Sequence, residues 1–310
     1  MKENKNDRLS EPEYFDHDAL MRRIETLVKK YPFFEFNYLG NSILGRGIPL
    51  ISLGGGKREV LYVGTHHGME WITAMVLCRF LSDLGELYQK KSTVYRTSLE
   101  TLFQTHTLYV VPMLNPDGTE YQIHGIKEEN PLFSRLLDMN GGSADFSKWQ
   151  ANARGVDLNH NYDAGFAEYK KLEAENGITK GAPTRYSGEE PESEPEVAAL
   201  CNFIRFRRDL RGILTLHTQG EEIFYKSGGK CAKGAEGVAK KLSDLTGYRL
   251  SLAEGLASYG GLTDWCAQKA DIPSFTLECG KGVNPLPISD HFPIYVNLRK
   301  VLFTFPTLLS

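Results

Sequence analysis

The sequence predicts an α/β fold: a mostly parallel or mixed β-sheet covered on both faces by helices. Three observations lead there. Apolar runs of strand length, at residues 59–65, 107–114, 212–218 and 274–280, alternate with longer stretches of helical spacing, as expected when strands are joined through helices that cover the sheet. No internal repeat or low-complexity linker divides the 310 residues, so the elements belong to one large domain. Hydrophobic residues make up 41% and charged residues 24%, which excludes disorder as the main state. The domain is expected to span 14–310, after a charged, flexible tail over 1–13.

Taken in order, residues 17–31 place Leu20, Ile24, Leu27 and Val28 on one face of a surface helix ending near Pro32. Residues 49–53 and 59–65 bracket Gly54-Gly55-Gly56-Lys57 and read as a strand, tight turn, strand hairpin. A phosphate loop would need a Gly-Lys-Ser/Thr ending and a following helix, and neither is there. Residues 71–84 have helical spacing and are nearly all apolar at first, so this helix is expected to be buried. Residues 107–114 make a strand. Residues 117–190 are polar and aperiodic, too long for a plain connection, and are expected to carry site loops.

Ser193-Glu194-Pro195-Glu196 is a helix start, with Ser193 as cap and Glu196 reaching back. Val197, Leu200, Cys201 and Ile204 continue it as an apolar stripe. Residues 212–218 and 274–280 are buried strands, and 235–246, 263–270 and 293–309 are helical. Ligands of such sheets collect at the carboxyl ends of the strands.

Composition removes several function classes. The net charge is 36 − 39 = −3, so no strongly basic surface announces nucleic-acid binding. No apolar run approaches the roughly 20 residues that span a bilayer. The first residues hold no apolar stretch of the signal-peptide kind, which leads to the expectation of a cytoplasmic protein. The five cysteines are odd in number and scattered, with no CxxC pair, and are expected to be reduced, packed thiols.

Chemistry gathers where apolar strands end. After residues 60–65 come His66-His67-Gly68-Met69-Glu70. His67 and Glu70, three apart at a strand-to-helix corner, converge on one ion. Imidazole and carboxylate suit zinc, which in catalytic sites takes three protein ligands and keeps a position for water. Strand alternation turns the neighbouring His66 to the opposite face. His217 closes a second strand; such a histidine is either a satisfied core or rim residue or, from across the sheet, a candidate third ligand. Glu278 closes a third; a carboxylate there must be solvated, paired or functional. Beside an activated water it is a candidate general base. The segment 152–161 offers Arg154 to an oxyanion and Asn159 to orient substrate.

In this order, these segments resemble the zinc metallocarboxypeptidases of the carboxypeptidase A type. The family's His-xx-Glu and distant His match His67, Glu70 and His217, and its catalytic glutamate matches Glu278. Its Gly-Val-Asp-x-Asn-Arg-Asn, Asn-Pro-Asp-Gly and Gly-Gly-x-x-Asp-Trp segments match residues 155–161, 115–118 and 260–265. The resemblance implies a central mixed sheet of about eight strands flanked by helices, and one Zn²⁺ per chain. Two departures stand out. The family's Asn-Arg pair, which holds a substrate's terminal carboxylate, appears as Asn159-His160, and its mobile tyrosine falls on Leu256, with Tyr259 three positions off. An arginine clamps a carboxylate permanently and with two hydrogen bonds; a histidine does so weakly and only when protonated.

Residues 217–222 and 276–287, with Tyr186-Ser187-Gly188 and the 193–196 segment, are similar to the bacterial γ-D-glutamyl-L-diamino acid peptidases of this family. That branch implies cleavage of peptidoglycan stem peptides between γ-D-Glu and diaminopimelate. Gln219, Glu221 and Glu222 are then expected to meet the extra ammonium of the diamino acid. The competing expectations are a general carboxypeptidase acting on ordinary C-termini, a zinc amidohydrolase for small acyl-amino acids, and a catalytically inactive binding module on the same fold.

Overall fold

The computed structural model describes residues 14–309. The tail expected over 1–13 lies outside the described residues. The chain forms α1 (His17–Lys30), β1 (Glu35–Asn41), β2 (Gly47–Leu53), β3 (Arg58–Gly64), α2 (Ile72–Gln89), a small hairpin of β4 (Thr93–Val94) and β5 (Thr97–Ser98), α3 (Leu99–Thr105), β6 (His106–Val111), α4 (Pro116–His124), α5 (Phe133–Met139), α6 (Phe166–Glu175), α7 (Pro195–Arg205), β7 (Leu210–His217), β8 (Glu222–Phe224), α8 (Ala235–Thr246), β9 (Arg249–Ser251), α9 (Leu262–Trp265), β10 (Ser274–Glu278) and α10 (His291–Leu308).

The main sheet has eight strands in the order β1-β2-β6-β3-β7-β10-β8-β9. Its centre, β6-β3-β7-β10, is parallel, while β1, β2 and β6 pair antiparallel, as do β10 and β8. The centre is parallel because helices lie over both faces. Val60 and Tyr62 of β3 pack with α2 and α10, and Leu61 and Val63 pack on the other face with α7 and α9. A third cluster, of Tyr121, Leu136, Met139, Phe146 and Trp149, supports the loops beside the sheet. All five cysteines are free thiols. No helix among the described residues is long and apolar enough to cross a membrane.

Four local expectations need correction. Strands β2 and β3 do not form a hairpin, because β6 lies between them. The glycines instead admit the start of β6: a Cβ on Gly56 would sit 1.9 Å from the Thr105 carbonyl carbon, and the Gly55 and Gly56 N–H groups donate to Phe103 and His106 carbonyls. Residues 117–190 are not purely irregular but contain most of α4, and all of α5 and α6. Helix α4 is set by its cap, since Asn115 accepts the Gly118 N–H at 2.9 Å and Pro116 fills the first turn. The cap position of α7 is Glu194, without a side-chain cap bond; Ser193 Oγ instead donates to the Glu194 carboxylate. Finally, Thr65 takes φ +54°, so strand alternation stops before His66. The His66 ring does not leave for the far face but stacks on His217, with centroids 5.1 Å apart.

Candidate active site and metal centre

The site lies at the carboxyl ends of β3, β7 and β10. His217 and Glu278 are the last residues of their strands and pair in register across the parallel β7–β10 ladder, so their side chains share a face. His67 and Glu70 follow β3 in a tight corner that opens α2. The corner is close-packed: a Cβ on Gly68 would meet the Gly118 backbone at 2.4 Å, and the Gly68 N–H donates to the Gln150 carbonyl at 2.8 Å.

His67, Glu70 and His217 present one donor atom each within 4.8 Å of one another. His67 Nδ1 lies 3.1 Å from Glu70 Oε1, His217 Nδ1 lies 3.1 Å from Glu70 Oε2, and the two ring nitrogens are 3.3 Å apart. Tetrahedral zinc with ligands at about 2.1 Å separates them by about 3.4 Å, so the three groups fit one such ion. Glu70 Oε2 is buried without a hydrogen bond, and a buried oxygen facing two imidazoles is an acceptor waiting for a cation. The other nitrogen of His67, Nε2, lies 3.1 Å from Asp157 Oδ1. With the Nε2 proton donated to that carboxylate, Nδ1 keeps its lone pair for the metal.

Asp157 was not singled out from sequence, although it lies within the matched segment 155–161. It is buried, and Oδ2 also accepts the Arg185 N–H at 2.9 Å. Burial opposes its charge, but His67, His160 and that N–H outweigh burial and hold its carboxyl well below the usual range. Glu70 has the same balance: burial works against its charge, and His67 and His217 bring it down to about 2. Glu278 goes the other way. Burial, and after it the Glu70 carboxylate, raises Glu278 well above the ordinary range. His66 is fully buried beside Tyr162 Oη at 3.0 Å, and burial and the neighbouring histidines keep it neutral.

The remaining candidates divide. Asn159 accepts the Leu262 N–H at 3.3 Å. The His160 ring stacks on Tyr169 at 4.1 Å and its Nδ1 lies 2.9 Å from the Tyr259 carbonyl; burial, only partly opposed by Asp157, lowers its pKa. Tyr259 is held at φ +63° with its ring against Gly165. Gln219 is exposed at the turn after His217. The structure does not bring Arg154 to the metal group. Its guanidinium is bound at two points by the Glu194 carboxylate, at 3.1 Å each, and reaches the Ser193 carbonyl, in a cavity lined by Arg135, Val156, Tyr186 and Glu189. Glu221 pairs with Lys281 at 2.7 Å and Glu222 with Arg249, so both carboxylates already have cations. Asn284, also not singled out from sequence, has its amide 3.5 Å from Glu70 Oε1.

A zinc carboxypeptidase family model matches residues 20–293. The chain is 34% identical over 281 residues to the γ-D-glutamyl-L-diamino acid endopeptidase 1 of Lysinibacillus sphaericus, covering 91% of this chain and 69% of that protein. It is 26% identical over 259 residues to carboxypeptidase B of Bos taurus, covering 77% of this chain and 56% of that one. Bovine thrombin-activatable fibrinolysis inhibitor superposes with a TM-score of 0.69 at 20% identity, covering 96% of each chain. Carboxypeptidase A from Helicoverpa armigera gives 0.68 at 16%, covering 95% of this chain and 74% of that one; both likenesses concern the fold. The chain belongs to the zinc carboxypeptidase family and is a zinc metallopeptidase with one catalytic Zn²⁺.

Proposed function

We propose that this peptidase hydrolyses the bond between γ-D-glutamate and an L-centred diamino acid, such as meso-diaminopimelate, in peptidoglycan stem peptides. The relative named for that bond, at 34% identity over most of both chains, supports it. The observation in the site that carries it is His160. Where the resemblance calls for a permanent cation on a terminal carboxylate, this chain has a buried imidazole whose pKa is lowered by burial. A site without that clamp depends less on a free C-terminal carboxylate.

His67, Glu70 and His217 hold the metal, and Asp157 fixes the His67 ring. Bound there, zinc supplies a Lewis-acidic centre that acidifies an attacking water. Glu278 takes the proton of that water as it attacks the γ-carbonyl carbon, then hands the proton to the departing amine nitrogen. Its position at the end of β10, in register with His217, sets it beside the metal group for that transfer. Arg154, paired with Glu194, is proposed to stabilise the oxyanion only if it exchanges that partner for substrate. Asn159 and Tyr259 flank the cleft and are proposed to orient the peptide, as is Gln219.

The test is hydrolysis of L-Ala-γ-D-Glu-meso-diaminopimelate beside an α-linked peptide with a free apolar C-terminus, each with zinc-loaded and chelated protein. Chelator-sensitive release of diaminopimelate, with little turnover of the α-linked peptide, is expected. Turnover of the α-linked peptide alone would keep the metal centre and replace the substrate by an ordinary C-terminus.

A further inference from the structure

We propose that Asn284 is a positioning residue of the metal centre: its side-chain amide fixes the Glu70 carboxylate relative to the turn that follows His217. Asn284 lies in the loop after β10, six residues beyond Glu278. Its Nδ2 donates to the Thr218 carbonyl at 2.7 Å and lies 3.5 Å from Glu70 Oε1, while its Oδ1 accepts from Thr218 Oγ1 at 2.8 Å. The orientation of the amide is dictated by these partners. A backbone carbonyl and a carboxylate only accept, so the NH₂ must face them, and the hydroxyl supplies the proton for the oxygen.

The His67 end of the first ligand segment reaches the same residue through residues 148–150. Lys148 Nζ donates to the Asn284 carbonyl, and two residues on, the Gln150 carbonyl holds the N–H of Gly68, next to His67. The segments that carry His67, Glu70 and His217 are thus all tied to the loop at 284. For Glu70 the consequence is directional. Its side chain is only 3% exposed, and Oε2 has no hydrogen bond. An N–H held over Oε1 sets the plane of the carboxylate and leaves Oε2 presented to the ion. No aliphatic residue can do this, and aspartate can accept from Thr218 but cannot donate to Glu70. Asn284 makes no hydrogen bond to Glu278 among the described residues, so its effect belongs to metal binding and geometry rather than to proton transfer. The inference is independent of which peptide is cut.

The experiment uses the full chain. N284A is expected to raise the zinc Kd, measured by competition with a chromophoric chelator, about 10- to 100-fold. It is also expected to change the visible spectrum of the Co²⁺-substituted protein, which reports coordination geometry, while the Tm of the metal-free protein stays at the wild-type value. T218V removes only the hydroxyl bond that aims the amide, and a shift in Kd of a few-fold is expected. If N284A does not fold, N284D keeps the size and the bond from the Thr218 hydroxyl but loses the N–H groups that face the Thr218 carbonyl and Glu70, and its cobalt spectrum decides. A wild-type spectrum with wild-type zinc affinity in the folded variant overturns the proposal. So does a loss of affinity matched by an equal loss of metal-free stability, which would mark Asn284 as a loop staple only.

Discussion

His67, His217 and Glu278 stand at or just past the ends of neighbouring parallel strands, whereas Asn159, His160, Gln219 and Tyr259 stand on loops. The first group inherits its spacing from the sheet. Glu278 faces His217 because β10 pairs with β7 in that register, and a slip of one residue would turn either side chain to the other face. The second group is placed by local bonds: the Tyr259 carbonyl on His160, the Leu262 N–H on Asn159. Three of the nine described non-glycine residues with positive φ, Thr65, Glu221 and Tyr259, lie in the segments that carry these groups, with φ between +54° and +63°. The metal half of the cleft is therefore set by strand register, and the other half by local loop bonds.

Substitutions in the metal half carry the largest expected effects. E278Q removes the proton acceptor and keeps the shape. A fall in kcat of about 10²–10⁴ is expected, with zinc content unchanged by metal analysis. Near-normal turnover would remove Glu278 from the reaction. D157A removes the acceptor for His67 Nε2, and zinc affinity should fall about 10- to 100-fold, read by chelator competition. A variant that holds zinc as tightly as wild type would mean that the strand-end geometry suffices without its support.

What was legible in the sequence follows the same division. His67, Glu70, His217 and Glu278 are candidates in the sequence because they stand at or just past the ends of apolar strands, and a buried strand followed by a metal-competent side chain is a local signal. Asn284 gave no such signal, because its partners lie 66 and 214 positions away. The supposed β2–β3 hairpin failed for a related reason. Local reading pairs chain neighbours, but β6, some 50 residues on, fits between them over a glycine seam. Strand β1 was missed because as an edge strand it is mostly exposed and has no apolar run. Helices α4 to α6 do not stand out in the sequence because they are short and bury only a few residues, such as Tyr121, Leu136 and Tyr169, rather than a sustained stripe; α4 alone of the three has a side-chain cap. The sequence offers the Glu221 and Glu222 carboxylates to a diamino acid's ammonium; Lys281, in the loop after β10, and Arg249, in β9, which pair with them, are distant in the chain.

Buried carboxylates sharpen the contrast. In the metal half, imidazoles keep Glu70 and Asp157 charged. In the loop half, Asn152 shapes the turn before Asp157, accepting the Arg154 and Val156 N–H groups and donating to Glu194 at 2.6 Å. Glu196 shares this node but has no cation; its Oε1 is buried without a partner. Burial first, and then Glu194 and Asp117, push its pKa from 4.5 up to about 8. The folded state therefore keeps a proton that the unfolded chain loses above its ordinary pKa. Stability from this group is complete below about pH 4.5 and declines as pH rises toward 8, by at most about 5 kcal/mol. E196Q cannot ionise, so its Tm relative to wild type should climb between pH 5 and pH 8. Parallel Tm profiles for the two proteins would show that Glu196 is not protonated in the fold.

The smallest effect is expected where substrate choice is made. H160R places a permanent cation at the position that the wild type fills with a neutral imidazole stacked on Tyr169. The charge-assisted bond it offers a free C-terminal carboxylate is worth about 1.5 kcal/mol at an open site, or roughly a tenfold lower KM for an α-linked peptide acid. The same peptide as its C-terminal amide should gain nothing, and release of diaminopimelate from the γ-linked tripeptide is the control for any effect relayed to His67 through Asp157, which His160 helps to keep charged. The acid–amide difference is the decisive quantity. If H160R treats acid and amide alike, position 160 does not face the leaving residue. The absence of a carboxylate clamp would then have to be sought at Leu256, the other position where the chain departs from the family pattern.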